Sequence, residues 1–160
     1  MPEMLGSQVV AYIGLGSNLG DSRATVLGAM AAIADLDGVV LTRSSSLYGS
    51  APVDAAGADY VNAVVEVKTL LKAQALLEAL HVLEHLGGRE RSYRNAPRTL
   101  DLDLLFFGKQ RINTPTLTLP HPRMQQRAFV LRPLAELAPE LVEPFHLEAV
   151  ADQRVWVLPQ

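Results

Sequence analysis

The chain has 160 residues, 49% of them hydrophobic, which suits a single domain with its own core. Its formal net charge of -3 provides no global basic field for nucleic acid, and the lack of cysteine excludes disulfides, thiolate zinc sites and cysteine nucleophiles. No apolar run approaches the roughly 18–20 residues of a membrane span, and Met1 to Ser7 lacks the basic-then-apolar pattern of a signal peptide. The expectation is a cytoplasmic protein, with Met1 to Ser7 as a loose tail.

Val9 to Leu15 is a continuous apolar run and predicts a central strand feeding a tight turn at Gly14-Leu15-Gly16-Ser17-Asn18. Asp21 or Ser22 is suited to cap a following helix, in which Val26, Met30 and Ile33 share one face. Asp37-Gly38 punctuates, and Val39 to Tyr48 reads as a second strand. Ser50 to Asp59, with Pro52, Gly57 and several alanines, is a loop long enough to move. Tyr60 to Thr69 alternates as a third strand, with Val61, Ala63, Val65 and Val67 on one face and Tyr60, Asn62 and Glu66 on the other.

A second helix spans about Lys72 to Leu86 on a Leu76, Leu80, Leu83 stripe, and Gly87-Gly88 ends it. A polar loop from Arg89 to Pro97 leads to a fourth strand, Leu100 to Phe107, stopped by Gly108. The order strand, helix, strand, strand, helix, strand is that of a ferredoxin-like α+β fold, an antiparallel sheet with both helices on one face. In the remainder, Gln110 to Ile112 reads as a short extra strand, Ala128 to Leu137 as a helix in spite of Pro133, and Arg154 to Leu158 as an edge strand.

The chemistry concentrates in Arg98-Thr99-Leu100-Asp101-Leu102-Asp103-Leu104-Leu105. Strand alternation points Asp101 and Asp103 to one face, and Leu100, Leu102, Leu104 and Phe106 to the helix-packed face. Two carboxylates on the open face repel unless a cation neutralises them, and oxygen-only ligands suit magnesium with phosphate oxygens. The alternative is a half-exposed strand with solvated acids. Arg89, Arg91, Arg94 and Arg98 lie close by in sequence, and guanidinium groups bind phosphate through paired hydrogen bonds. A divalent ion beside arginines is what phosphoryl transfer requires, whereas a basic loop in solvent is the plainer account.

Tyr60 and Asn62 share a face, where an aromatic and an amide can stack on a flat heterocycle and bond its edge, or simply cover the sheet. His121, fixed between Pro120 and Pro122, either binds phosphate, donates a proton or is a turn residue without a role. Phe129 is core or half of an aromatic clamp. His81-Val82-Leu83-Glu84-His85 matches an inverted zinc-protease pattern too short to carry weight. Gly14-Leu15-Gly16-Ser17-Asn18-Leu19-Gly20 departs from G-x-G-x-x-G, so neither a Rossmann nor a P-loop reading is supported.

These residues resemble the 6-hydroxymethyl-7,8-dihydropterin pyrophosphokinase family over about residues 9 to 145. The likeness rests on Ala11 to Leu19, Ser46-Leu47-Tyr48, Asp59-Tyr60-Val61-Asn62-Ala63, Arg94-Asn95-Ala96-Pro97-Arg98-Thr99-Leu100-Asp101-Leu102-Asp103, Leu119-Pro120-His121-Pro122, Arg127-Ala128-Phe129 and Pro133 to Pro139. The resemblance implies attack of the pterin hydroxyl on the β-phosphorus of ATP, with transfer of pyrophosphate and release of AMP in folate biosynthesis. It implies that Asp101 and Asp103 hold two magnesium ions and act with Arg89 and Arg98 on the reacting phosphates. Tyr60 and Phe129 resemble the walls of the pterin slot, Asn62 its edge reader, and Ser50, Ala51, Pro52 and Val53 its backbone rim. Glu84, Arg91, Leu104, Thr118, His121 and Arg127 resemble the nucleotide contacts. Loops Gly49 to Asp59 and Gly88 to Pro97 would close over the substrates and exclude water. The chain departs from many relatives at Ala51 (proline), Asn95 (tryptophan in some), Thr116 (arginine in some) and Pro122 (aromatic in some).

Small-molecule partners and a monomer are expected, with neither nucleic acid nor membrane. The rivals are a ferredoxin-like RNA-binding module, disfavoured by acidic charge and paired aspartates, and another Asp-x-Asp phosphotransferase or nuclease.

Overall fold

A computed structural model describes residues 4–18, 20–52, 57–87 and 100–160. Its main sheet is antiparallel and combines β1 (Met4–Ser17), β2 (Val39–Ser44), β3 (Tyr48–Ser50), β4 (Tyr60–Leu71), β5 (Asp101–Phe107) and β8 (Val155–Val157). The order is β5-β1-β4-β3-β8, with β2 also paired to β4. A separate hairpin joins β6 (Ile112–Asn113) to β7 (Thr118–Leu119). The helices are α1 (Ser22–Ala34), α2 (Ala73–Gly87), α3 (Ala128–Leu137) and α4 (Pro144–Ala149). Among the described residues no helix is long and apolar enough to cross a membrane.

Alternation along the strands builds two cores. Ala11, Ile13 and Leu15 of β1, Ala63, Val65 and Val67 of β4, and Leu102 and Leu104 of β5 bury together with Val26 and Ile33 of α1 and Leu76 and Leu80 of α2. Asp21 caps α1 by accepting from the Ala24 N–H at 3.1 Å, which satisfies a donor the helix itself leaves open. On the opposite face Tyr12, Val64 and Leu105 pack against Val130, Leu131 and Leu134 of α3. This face is therefore only partly open, in contrast to the expectation of a bare sheet surface. The covering helix has the bounds expected from sequence; Pro133 lies within it and takes one backbone donor out of its ladder.

Three local expectations change. β1 starts at Met4, opposite Leu71, so the strand reaches back into the segment expected to be a loose tail, and it runs on through Ser17 past the expected turn. The second strand breaks in two: at residues 45–47 the buried Ser45 Oγ accepts from the Val64 N–H at 2.9 Å while Ser45 N–H donates to Val64 O at 2.8 Å. The side chain thus takes over a main-chain bond where β2 hands over to β3. In β5 the register passes from Tyr12↔Phe106 to Ile13↔Leu104, so Leu105 is an extra residue. This bulge puts Phe106 against the α3 core and Phe107 in the helix-face core, so Phe106 does not share the face of Leu104.

Residues 153–160 return to the sheet. β8 pairs with β3, and the Trp156 indole covers Gly49 so closely that a Cβ there would lie 2.4 Å from its ring. Glu136 of α3 accepts from Ser46 N–H at 2.9 Å and from Tyr48 O–H at 2.6 Å, tying the helix to β3. Burial first, then this carboxylate, pushes the Tyr48 phenol up to about 12.

Candidate functional site

The site begins with a gap in side-chain volume. On the α3 face β1 presents Tyr12 and then Gly14 and Gly16, so beyond Tyr12 the sheet surface there is bare backbone. Register places Gly16 between Asn62 of β4 and Asp101 of β5, and Gly14 between Val64 and Asp103. With strands about 4.8 Å apart, Asn62 and Asp101 stand about 10 Å apart across a floor with no side chain between them. A Cβ at Gly16 would come within 3.3 Å of Asn62 Oδ1, so the glycine also leaves room for that amide. The Gly14-Leu15-Gly16 sequence is thus the floor of a cavity, and this role was missed in the sequence.

That cavity has a volume of about 900 Å³. Ser50, Ala51, Pro52, Tyr60 and Asn62 line one side, Asp101 and Asp103 another, and Arg127 and Phe129 a third. Asn62 is almost fully buried and donates from Nδ2 to Ser50 Oγ at 2.8 Å, which fixes its amide plane and leaves its oxygen as an acceptor near Gly16. Tyr60 and Phe129 are half-buried and line the same space without stacking on one another. The Arg127 guanidinium lies 5.7 Å from the Phe129 ring centroid. Most of the expected pterin-slot residues are therefore brought together; Val53 lies outside the described residues.

A second cavity, of about 440 Å³, opens on the other side of β5. Its lining includes Leu77, His81, Glu84, Leu104, Thr118 and His121, together with Asp101 and Asp103. The two carboxylates are thus a wall common to both cavities. Leu104 is core on its side chain, so a ligand meets mainly its backbone there. Glu84 is buried and one of its oxygens accepts from Leu102 N–H at 2.8 Å, so it holds β5 in place as well as lining the cavity. His85 is exposed and absent from this lining, and no group of three or more His, Cys, Asp or Glu suited to a metal occurs among the described residues.

Asp103 faces an imidazole and a guanidinium. His121 Nε2 is 3.8 Å from its Oδ1 and Arg127 NH1 is 3.8 Å from its Oδ2. His121 is positioned by its N–H donating to Leu105 O at 3.0 Å, and its Nδ1 accepts from Arg123 N–H at 3.2 Å. In the neutral ring the proton therefore sits on Nε2, toward Asp103. Burial lowers the imidazole pKa, and Arg127 and Arg123 add to this against the opposing pull of Asp103. The expected phosphate contacts Arg89, Arg91 and Arg98, and Arg94 with them, lie outside the described residues. The sequence reading also missed Arg123, Gln126, Gln153 and Arg154, which line the larger cavity too. Gln153 and Arg154 stand in the C-terminal segment, where no chemical pattern in the sequence marks them.

Fold and site define a small protein of helices on an antiparallel sheet, with paired carboxylates separating two cavities. The family model described as 7,8-dihydro-6-hydroxymethylpterin-pyrophosphokinase (HPPK) matches residues 12–139. The 2-amino-4-hydroxy-6-hydroxymethyldihydropteridine pyrophosphokinase of Bacillus subtilis is 43% identical over 151 residues, covering 92% of this chain and 90% of its own length. The enzyme of the same name from Pseudomonas aeruginosa is 46% identical over 134 residues, 83% of each chain. Among solved structures, an HPPK-DHPS in complex with substrates superposes with a TM-score of 0.68 at 13% identity, over 84% of this chain and 40% of its own. Plasmodium falciparum HPPK-DHPS with pteroate gives a TM-score of 0.66 at 14% identity, over 85% of this chain and 39% of its own. These two likenesses are of fold, and this chain spans about two fifths of the solved chains. The chain belongs to the HPPK family.

Proposed function

We propose that the larger cavity takes the reduced pterin and the smaller one ATP, so that the reacting groups meet at Asp101 and Asp103. The chain transfers pyrophosphate from ATP to the hydroxymethyl group of 6-hydroxymethyl-7,8-dihydropterin, a step of folate biosynthesis, and AMP leaves. The observation that carries the seating is that the two aspartates wall both cavities at once. A transfer between two bound molecules needs one shared boundary at which donor and acceptor are held in line.

Tyr60 and Phe129 flank the pterin ring, and Asn62, locked by Ser50, reads its edge. Ser50, Ala51 and Pro52 rim the slot. Thr118, His121, Glu84 and the Leu104 backbone border the nucleotide. Arg127, with Arg89, Arg91 and Arg98, neutralises phosphate charge as it redistributes during transfer.

The donor set fits magnesium. Asp101 is exposed and Asp103 half-buried, both offer oxygen only, and two carboxylates leave most of an octahedral shell to water and phosphate. Asp101 and Asp103 would hold two such ions, which would supply positive charge to neutralise the triphosphate. The βαββαβ order and the sheet order β5-β1-β4, with β2 and β3 both paired to β4, support a ferredoxin-like core in one domain spanning the chain. A cytoplasmic monomer is part of the same reading.

Product analysis tests it. Protein, ATP, magnesium and the hydroxymethylpterin should yield AMP and pterin diphosphate one to one, and a chelator should stop both. ADP as the product would replace pyrophosphoryl transfer by ordinary phosphorylation, and protection by single-stranded RNA rather than by ATP would favour the binding-module alternative.

A further inference from the structure

Arg127 and Phe129 open α3 from a position that the helix itself does not secure. Arg127 is the residue preceding the first turn, in extended conformation, and its side chain makes no capping bond. The Ala128 N–H is one of the donors a helix start leaves open. It is satisfied from far along the chain: Gln153 Oε1 accepts from Ala128 N–H at 2.9 Å, and Gln153 Nε2 donates to Gln126 O at 2.9 Å. One carboxamide thus staples both sides of Arg127 and stands two backbone units from Phe129.

The staple has a firm anchor. Gln153 N–H donates to Val150 O at 3.0 Å, closing a turn whose Val150 is buried in the α3 core. Just beyond it, Val155 O accepts from Arg132 of α3 at 2.7 Å. Gln153 itself is solvent-exposed, so its side chain contributes little packing, and what remains is its pair of directional bonds. It also lines the larger cavity and lies outside the matched family segment, which ends at residue 139.

We infer that Gln153 is a positioning residue of the pterin pocket, holding residues 126–128 so that Arg127 meets Asp103 and Phe129 faces the ligand. This rests on the seating of the pterin proposed above. Loss of the staple frees the helix start without opening the core, and reacting groups a fraction of an ångström out of place lose rate and affinity.

Steady-state kinetics on Gln153→Ala tests the inference, with thermal melting alongside. The pterin KM should rise about three- to tenfold, with a smaller change for ATP and a melting temperature near that of the wild type. Gln153→Glu, which keeps the acceptor for Ala128 N–H but not the donor to Gln126 O, should fall between the two and supplies the same measurement if the alanine variant does not fold. Since Gln153 acts through Phe129, the two substitutions should be non-additive: in a Phe129→Ala background Gln153→Ala should change the pterin KM less than twofold. A wild-type pterin KM in the Gln153 variants, or an equal increment in both backgrounds, would overturn the inference while leaving the enzyme's function standing. Wild-type protein that neither forms AMP nor binds the pterin by fluorescence titration would overturn the seating and the inference together.

Discussion

On the helix face of the sheet, Ala11, Ile13, Leu15, Ala63, Val65 and Val67 meet α1 and α2 in a continuous aliphatic layer. On the other face the same strands change character along their length. Tyr12, Val64 and Leu105 are closed over by α3, and one step further β1 offers only Gly14 and Gly16 beside Asn62, Asp101 and Asp103. One face is spent on stability throughout. The other is divided: its packed half fixes α3, and α3 presents Arg127 and Phe129 to its empty half. The pocket arises by subtraction, from missing side chains beside a well-packed helix.

This division can be broken at its ends. Asp103→Ala should cut turnover roughly a hundred- to a thousandfold. Its side chain is 39% exposed, so urea unfolding should move by less than about 0.5 kcal/mol. A chelator should inhibit the wild type comparably, read by AMP release. Ile33→Ala on the helix face should do the reverse: it is fully buried, so stability should fall by about 2–5 kcal/mol while kcat per folded molecule stays at the wild-type value. Unchanged stability would deny the helix face its role.

Two smaller effects separate positions within the divided face. Gly16→Ala should raise the pterin KM by about three- to tenfold, because its methyl would press on Asn62 Oδ1 at 3.3 Å. Gly14→Ala, whose methyl would meet Leu105 at an ordinary 3.6 Å, should have the lesser effect. Equal KM values for the two would deny Asn62 a part in binding the pterin. The smallest effect lies beyond α3, where Glu66 accepts from Tyr12 O–H at 2.6 Å and pairs with Arg43 at 2.8 Å. The Arg43 hydrogen bond first, then those of Tyr12 and Thr42, hold its carboxyl at about 2 in place of 4.5, against the pull of burial. A carboxyl depressed in the fold stabilises fully above its unfolded pKa and loses that contribution as pH falls through the folded one. The stability advantage of wild type over Glu66→Gln should therefore hold at neutral pH and shrink from about pH 4.5 toward pH 2, measured by urea unfolding.

The strands and helices were legible because their periodicity is strong: the third strand's valines, the Leu76 and Leu80 stripe, and α3 despite Pro133 all stand where expected. That Asp101, Asp103, Tyr60, Asn62 and Phe129 gather at one cavity was legible through alternation combined with a family likeness. What escaped is set by contacts distant in sequence. The bulge at Leu105 is a matter of register with β1, and nothing in Leu104-Leu105-Phe106 announces it. Ser45 breaks the second strand by bonding to Val64, nineteen residues away. The covering of the open face by α3, and the reach of Gln153 to residues 126–128, depend on where the C-terminal segment turns back. A glycine floor has no side-chain pattern to read at all.

The bond from Leu102 N–H to Glu84 has a consequence for self-association. Among the described residues β5 is the last strand at one end of the sheet, and the main chain of an end strand is the usual route to aggregation. Glu84 occupies the Leu102 donor and the His121 N–H occupies the Leu105 acceptor. The same two neighbours that border the smaller cavity thereby blunt the edge that carries the carboxylates. Protection against wrong pairing and an open cavity for a small molecule are obtained from one arrangement, because the side chains that fill the main-chain positions of the edge also line the space beside it.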